Sequence, residues 1–248
     1  MSKSDNPLHF AIQIRSFPYI RRMKYQTLLF DADNTLWDFD LSEKFALFRV
    51  LAEENIEFDP DMMETWHGVN KLCWHQLEEG LLTAEDLRWV RWERFFEQLQ
   101  KSGDYKKIGE RYSMHLGTTD FMIPGAKALL DKLSVQRNLV LVTNGLKEVQ
   151  RKRLQNTNIE HYFDAIIISD EIGVSKPHTA FFDHVFAEIE QPVKSNTLMI
   201  GDSLSSDILG GNNYGLDTCW YNPKKKEANS GVVATYEIKE LEELWKII

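Results

Sequence analysis

Cysteine is scarce in this sequence, and long apolar runs are absent. The 248 residues include only Cys73 and Cys219, which lie far apart. This favours free, buried thiols in a reducing cytosol over a disulfide framework, and neither thiol is assigned a catalytic role. No apolar run approaches the roughly 20 residues that span a bilayer. We therefore expect a soluble, cytoplasmic protein without a membrane partner.

Positive charge is also in short supply. The formal net charge is −9, and 43% of the residues are hydrophobic while 27% are charged. Such a chain lacks the broad basic surface that follows the phosphates of a nucleic acid polymer, so we expect no such partner. An anionic substrate would have to be met by a local cation or a metal ion. The length and composition suit one sizeable core with an inserted subdomain.

Residues 1–22 differ in character from the rest of the chain. They carry basic residues and short apolar pieces around two prolines. They have neither the continuous apolar core nor the small-residue cleavage pattern of a targeting peptide. We interpret this stretch as an N-terminal extension that the fold does not need.

The spacing of apolar residues predicts an α/β protein with a Rossmann-like, doubly wound parallel sheet and an inserted α-helical cap. A first strand is followed by a long stretch with helical spacing only, in which Thr83 offers an N-cap before two acids. From Pro124 onward, strands and helices alternate, which indicates a parallel sheet. The predicted core therefore comprises residues 23–38 and 121–248, and the cap comprises residues 39–120.

Within this plan the boundaries can be given for each element. The predicted strands are 25–30, 139–142, 165–168, 197–200 and 216–220. The predicted helices are 41–55, 60–79, 83–101 and 104–116 in the cap, then one ending near 135, 146–156, 178–190, and one beginning near 206.

Paired carboxylates follow the first strand. The sequence DADNT at residues 31–35 comes directly after the apolar run at 28–30, so Asp31 and Asp33 lie at a strand end, where open α/β sheets bind ligands. Asp31 could attack an electrophile or ligate a metal, and Asp33 is near enough to donate and then accept a proton. By itself, a pair of acids two residues apart is weak evidence for a catalytic site, because acids are common in turns after strands.

Three further segments, VTNG, SKP and GDSLSSD, also lie after predicted strands, and together they make the Asp31–Asp33 pair a stronger sign of a functional site. The last places Asp202 and Asp207 after another strand. Because clustered acids repel one another, and because oxygen ligands select a hard ion, the set predicts Mg²⁺. The remaining residues would bind a phosphoryl group, with hydrogen-bond donors and one fixed positive charge: Thr143, the backbone of Asn144 and Gly145, and Lys176.

The ordered set DADNT, VTNG, SKP and GDSLSSD resembles the four motifs of the haloacid dehalogenase superfamily, and the resemblance extends from about residue 25 to the C-terminus. It implies that Asp31 is the nucleophile that forms an aspartyl-phosphate. It also implies that Asp33 is the general acid for the leaving oxygen and then the general base for water. Thr143 and Lys176 would hold the phosphoryl group.

The same resemblance implies a metal site and a reaction type. Mg²⁺ would be bound by Asp31, the main-chain carbonyl of Asp33 and Asp202, while Asp207 would orient metal-bound water or Lys176. Dehalogenase members lack an acid two residues after the nucleophile, since a halide leaving group needs no proton. Asp33 therefore favours phosphoryl transfer.

Two segments, residues 201–223 and 70–83, resemble the pyrimidine 5′-nucleotidase branch, a group of noncanonical nucleoside monophosphatases. In this chain Tyr214 stands where alanine is more usual, which affects only local helix packing. The resemblance implies a nucleoside 5′-monophosphate as the substrate.

Substrate choice must come from the cap, because the strand-end motifs contact only phosphate and metal. Aromatic residues at helical spacing mostly form the interior of a helical subdomain, so most of the cap aromatics are expected there. For contact with a base or sugar we single out Trp37, beside the catalytic loop, and Trp74 and Arg91, which match the branch pattern.

The sequence thus predicts a Mg²⁺-dependent phosphomonoesterase that prefers pyrimidine nucleoside 5′-monophosphates. Two other interpretations remain open. One is a small-sugar or phosphoglycolate phosphatase, or a phosphoglucomutase, on the same core. The other is a non-catalytic binding protein on this fold, which the intact set Asp31, Asp33, Lys176 and Asp202 disfavours.

Overall fold

The computed structural model describes residues 24–190, 193–228 and 231–248. The predicted N-terminal extension, residues 1–22, lies outside this part of the chain. Over the described residues, no helix is both long enough and apolar enough to cross a membrane. Both cysteines are buried and free, as predicted.

A six-stranded parallel sheet forms the centre of the fold, with strand order β3-β2-β1-β4-β5-β6. Its interior strands read as nearly continuous runs of valine, isoleucine and leucine, as expected when both faces of a sheet are covered. The strands are β1 (Thr27–Phe30), β2 (Asn138–Thr143), β3 (Ala165–Ile168), β4 (Thr197–Gly201), β5 (Asp217–Tyr221) and β6 (Tyr236–Ile238). This topology confirms the predicted α/β fold class.

Helices cover both faces of the sheet, and an apolar core lies between each face and its helices. After β2 the chain continues as α6, after β3 as a short α7, and after β4 as a π turn that leads into α9. The helices of this half are α5 (Ala126–Ser134), α6 (Lys147–Thr157), α7 (Ser169–Ile172), α8 (Thr179–Glu188) and α9 (Leu209–Tyr214), with the π turn at Leu204–Ile208.

Four consecutive helices follow β1 in the chain: α1 (Phe39–Glu53), α2 (Asp61–Glu78), α3 (Ala84–Gln98) and α4 (Tyr105–Gly117). We call them the cap. They pack around a second apolar core, which includes the tilted ring pair of Trp66 and Trp92, whose centroids are 4.4 Å apart. The predicted N-cap Thr83 is present at the start of α3, where Thr83 and Asp86 bond reciprocally in a capping box. The division into core and cap at residues 39 and 120 stays a prediction.

The two segments that join cap and core run side by side. The backbone N–H of Asp38 donates to Phe121 at 2.8 Å, and that of Ile123 donates to Leu36 at 2.9 Å. The cap therefore connects to the core through a short hydrogen-bonded ladder that lies directly after the DADNT segment.

Candidate active site

The carboxyl ends of β1 and β4 meet at the centre of the sheet. Strand β1 pairs with β2 on one side and with β4 on the other. The carboxyl ends of these strands therefore mark the topological switch point of the sheet, where open α/β sheets bind ligands. Asp31 follows β1 and its N–H donates to Ile200 at 2.8 Å, while Asp202 follows β4. The fold thus brings these two acids together.

Lys176 reaches the same point from the loop before α8. Its side chain is 1% exposed, and its Nζ lies 2.7 Å from Asp31 Oδ1, 2.8 Å from Asp207 Oδ1 and 2.7 Å from the carbonyl oxygen of Val142. On the other side of Asp31, the hydroxyl of Thr35 donates to Oδ2 at 3.1 Å. These bonds fix the orientation of the Asp31 carboxylate at the bottom of a cleft.

The negative charges of Asp31, Asp202 and Asp207 outnumber the positive charge of Lys176 beside them. Burial, together with the charge of Asp207, raises the pKa of Asp31 to about 7. Burial also raises the pKa of Asp202 to about 6, with a contribution from the charge of Asp31. For Lys176, burial lowers the pKa, but the charges of Asp207 and Asp31 outweigh it and the pKa is raised. Additional positive charge at this point would stabilise the ionised carboxylates.

Three carboxylates have oxygens within 4.8 Å of one another: those of Asp31, Asp202 and Asp207. An all-oxygen set of this kind fits a hard divalent cation such as Mg²⁺. Asp207 is already engaged, because Oδ1 pairs with Lys176 and Oδ2 accepts from the Ser203 N–H at 3.0 Å. The residues present therefore fit a metal held by Asp31 and Asp202, with Asp207 orienting Lys176.

The local backbone explains how Asp207 reaches this position. The π turn after Ser203 directs its buried side chain back over the end of β4. A Cβ atom on Gly201 would lie 2.2 Å from Asp207 Oδ2. The glycine of the GDSLSSD motif is therefore required for the close approach of this carboxylate.

Asp33 lines the cleft, and both of its carboxylate oxygens are bonded to side chains of α6. Its Oδ2 accepts from Gln150 Nε2 at 2.7 Å, and its Oδ1 is paired with Arg153 Nη1. Asn34 follows in a left-handed conformation (φ 59°), which asparagine tolerates better than most residues. This turn places the two acids of the DADNT segment on different partners.

Thr143, Asn144 and Gly145 line the cleft, but the Asn144 side chain and the Gly145 N–H are already bonded. Asn144 exchanges two 2.9 Å hydrogen bonds with the main chain of Lys176, through Oδ1 and Nδ2. The N–H of Gly145 donates to Thr143 Oγ1 at 3.1 Å. Asn144 thus anchors the loop that carries Lys176. The predicted binding of a phosphoryl group by Thr143, Asn144 and Gly145 stays a prediction.

The cap contributes to the wall of this cleft, which has a volume of about 200 Å³ and is lined by Trp74, Glu78 and Phe39 opposite the acids. A second cavity of about 700 Å³ adjoins it and shares Glu78 and Asn144 as lining residues. Its walls combine leucine, valine and alanine side chains with about as many polar residues, which include His178 and the three acids Glu78, Glu79 and Asp170. A volume in the range of about 300–1,000 Å³ is typical of small-ligand sites.

Of the three residues singled out for substrate contact, one lines the cleft. Trp74 does so from α2. Trp37 is fully buried in the core, and Arg91 is 2% exposed in the cap. Arg91 Nη1 donates to Asn70 Oδ1 at 3.1 Å, and the Arg91 guanidinium lies 4.9 Å from the centre of the Tyr112 ring. The structure therefore gives Trp37 and Arg91 packing roles, which corrects the expectation that they face the substrate.

Sequence analysis missed four residues around the cleft: Glu78, Gln150, Arg153 and His178. Glu78 and His178 line the cavities, and Gln150 and Arg153 hold Asp33. The spacing of Gln150 and Arg153, three residues apart on a helix directly after VTNG, was the one available signal, because it puts both on one face.

A model of the haloacid dehalogenase-like hydrolases matches residues 25–215. The pyrimidine 5′-nucleotidase YjjG of Escherichia coli is 33% identical over 91% of this chain and 99% of its own length. The pyrimidine 5′-nucleotidase PynA of Streptococcus pneumoniae is 36% identical over 90% of this chain and 94% of its own length.

Among solved structures, that of YfnB from Bacillus subtilis superimposes with a TM-score of 0.86 at 37% identity, covering 90% of this chain and 98% of the other. That crystal structure contains bound magnesium and shows interdomain movement. The family model matches most of the chain, and relatives of nearly equal length share its sequence. The four sequence motifs lie together at one edge of the sheet, in agreement with that family. This chain belongs to the haloacid dehalogenase-like hydrolase family.

Proposed function

We propose that the protein is a Mg²⁺-dependent phosphomonoesterase that hydrolyses nucleoside 5′-monophosphates with a pyrimidine base, through an aspartyl-phosphate on Asp31. The observation that carries the proposal is the position of Asp31: a buried carboxylate held by Lys176 and Thr35 at the bottom of a cleft. Such a group is oriented for attack on an electrophile that enters from above.

The remaining residues of the cleft have roles that follow from their chemistry. Lys176, and Thr143 once its hydroxyl turns towards the ligand, would stabilise the negative charge on the transferring phosphoryl oxygens. Asp33 would protonate the leaving oxygen and then take a proton from the attacking water. Asp31, Asp202 and the main-chain carbonyl of Asp33 would hold Mg²⁺, which neutralises phosphoryl charge when it is bound.

Two observations support a nucleotide as the substrate. The cavity of about 700 Å³ begins where the phosphate cleft ends, at Glu78 and Asn144, so a substrate with a large leaving group could extend into it. In addition, YjjG and PynA, both named pyrimidine 5′-nucleotidases, align over nearly the whole chain. The pyrimidine preference rests on these relatives alone.

The test is a side-by-side measurement of kcat/KM for pyrimidine and purine nucleoside monophosphates, small sugar phosphates and an aryl phosphate. We expect the pyrimidine nucleotides to be turned over best. A sugar phosphate turned over far better would support the alternative of a small-sugar phosphatase and sink the nucleotidase assignment. Absence of turnover for every phosphomonoester, with Mg²⁺ present, would support a binding protein instead.

Mg²⁺ is expected to raise the melting temperature of the protein, because it binds the folded carboxylate cluster and has no comparable site in the unfolded chain. Calorimetry with and without Mg²⁺ measures the shift. Asp202→Asn should remove most of it, whereas Asp170→Asn, outside the cluster and paired with Arg88, should leave it intact. An unchanged shift in Asp202→Asn would exclude Asp202 as a ligand.

Trp74→Ala is expected to raise KM for a pyrimidine nucleotide while sparing a small aryl phosphate, because the indole lines the cleft beyond the phosphoryl site. A stacked base would be worth about 1–3 kcal/mol. The matched control is Trp89→Ala, because both tryptophans are partly buried and pack against the cap interior, whereas of the two only Trp74 lines the cleft. If both variants weaken both substrates and lower the melting temperature alike, Trp74 serves only in packing.

We also propose a cytoplasmic location. The observation in its favour is that Cys73 and Cys219 are both buried and unpaired, as is usual where thiols are kept reduced.

A further inference from the structure

Arg153 is a fully buried arginine beside the proposed catalytic loop. It lies on α6 with 0% exposure, and its Nη1 forms an ion pair with Asp33 Oδ1. A buried guanidinium needs a compensating anion, because an unpaired buried charge is costly. In the described part of the chain, the carboxylate that pairs with Arg153 is that of Asp33.

A second donor from α6 holds the other oxygen of the same carboxylate. Gln150 Nε2 donates to Asp33 Oδ2 at 2.7 Å. Two donors on different oxygens fix both the position and the plane of a carboxyl group. Gly145 makes room for this arrangement, since a Cβ atom there would lie 2.1 Å from Gln150 Nε2.

Arg153 also contacts α4, the last helix of the cap, and the segment that leads into α1, the first. Its Nε donates to the carbonyl oxygen of Leu116, at the end of α4, at 3.3 Å. Its guanidinium carbon lies 5.8 Å from the centre of the Trp37 ring and 5.6 Å from that of Phe39, at the start of the cap. One side chain thus touches Asp33, the chain that enters the cap and the chain that leaves it.

We propose that Arg153 and Gln150 are positioning residues for Asp33, and that Arg153 makes the position of the Asp33 carboxyl depend on the position of the cap. Neither residue touches the reacting atoms in this role. They act by holding the carboxyl where it can reach the leaving oxygen, and the Leu116 and ring contacts link that geometry to the cap segments. The inference rests on the proposed role of Asp33 as general acid and base.

The test compares Arg153→Met and Gln150→Met with the unmutated protein on two substrates, an alkyl phosphate (a pyrimidine nucleotide) and an activated aryl phosphate. We expect kcat for the alkyl phosphate to fall by about 10- to 100-fold, part of the full general acid-base contribution, with KM little changed. The aryl phosphate, whose leaving group needs less protonation, should lose less. Arg153→Lys, which keeps the charge, should recover part of the loss.

A double variant distinguishes positioning of Asp33 by Arg153 from a general disruption of the structure. If Arg153 acts through Asp33, adding Arg153→Met to Asp33→Asn should reduce kcat by less than about threefold further, because coupled residues are not additive. Losses that multiply in full would overturn the proposal. Gln150→Met combined with Asp33→Asn gives the same test without the buried charge, should Arg153→Met fail to fold.

Two control variants on the same helix complete the design. Arg151→Met removes an arginine that pairs at the surface with Glu171, and Asn156→Ala removes a 3.0 Å bond to the carbonyl oxygen of Gly117, next to the one that Arg153 uses. We expect both to retain kcat. A loss in Asn156→Ala equal to that in Arg153→Met would show that anchoring the cap suffices and overturn the role through Asp33.

The outcome also distinguishes this inference from the proposed function. If Asp33→Asn alone retains full activity, the role of Asp33 itself is wrong. If Asp33→Asn is impaired while Arg153→Met and Gln150→Met are not, only the positioning role is wrong.

Discussion

Asp31→Asn is expected to give a folded protein without measurable turnover. An amide cannot attack phosphorus, and it weakens the proposed metal site at the same time. The loss should be about 10⁶-fold, by analogy with removal of a catalytic nucleophile elsewhere. The fold should survive because asparagine has the same shape and because Lys176 keeps its bonds to Asp207 and to the Val142 carbonyl.

The measurement is kcat for a pyrimidine nucleotide, together with acid quenching and mass spectrometry to detect phosphate on the protein. The unmutated chain should carry the label on Asp31, and the variant should carry none. Asp217→Asn is the matched control, because Asp217 lies at the amino end of β5, away from the carboxyl ends where the cleft lies. This variant should retain full activity. A label on another residue, or retained turnover above about a tenth in Asp31→Asn, would remove Asp31 from the nucleophile role.

The central strands and the residues at their ends could be predicted from the sequence because their signal is local. A buried parallel strand is an apolar run, and the residues directly after it lie at the edge of the sheet where ligands bind. Strand β3 at 165–168 has the predicted limits, and β1, β2, β4 and β5 differ from prediction by one or two residues. Asp31 and Asp202 then meet because β1 and β4 are neighbours in the sheet, and Lys176 reaches them from the loop between α7 and α8.

Features whose signal is weak or non-local were not predicted. Strand β6 has only three residues, one of them charged, so it lacks the apolar run that marks the other strands. Helix α7 has four residues, too few for a periodic pattern. Such short elements form because the sheet edge and the neighbouring helices are already in place, so their own sequences carry little information.

The burial of Arg153 could not be predicted for a related reason. In the segment KEVQRKRLQNT it is one of several charged residues on a helix whose pattern indicates exposure to solvent, and Arg151 in the same segment is in fact exposed at the surface. What distinguishes Arg153 is the acid that faces it across 120 residues of sequence. Trp37 gives the converse case, since proximity to the catalytic loop in sequence suggested substrate contact, while the structure buries it completely.

Asp33→Asn is expected to impair catalysis by about 10² to 10⁴-fold, the usual contribution of a general acid and base. Asparagine cannot donate the proton that the leaving oxygen requires, nor accept one from water. The effect should therefore depend on the leaving group. An alkyl phosphate such as a nucleotide should lose far more in the rate of aspartyl-phosphate formation than an activated aryl phosphate, whereas hydrolysis of the intermediate should slow equally for both.

The ion pair with Arg153 adds a second expected consequence. Asparagine leaves the buried guanidinium without an anion, and removing one partner of a buried pair costs up to about 3–5 kcal/mol. Because the Asp33 side chain is 26% exposed and an amide oxygen still accepts a hydrogen bond, the loss should be smaller than that. Asp33→Asn should thus lower the melting temperature, unlike Asp31→Asn.

Rapid-quench kinetics on both substrates, with thermal unfolding in parallel, separates these two effects. Asp38→Asn is the control within the same loop, because its side chain caps α1 by accepting from the Leu41 N–H and asparagine preserves that cap; it should keep both rate and stability. Equal losses of aspartyl-phosphate formation for the alkyl and aryl phosphates would contradict proton donation by Asp33. In that case Asp33 would contribute through its ion pair with Arg153 alone, as an anchor for the loop that carries Asp31.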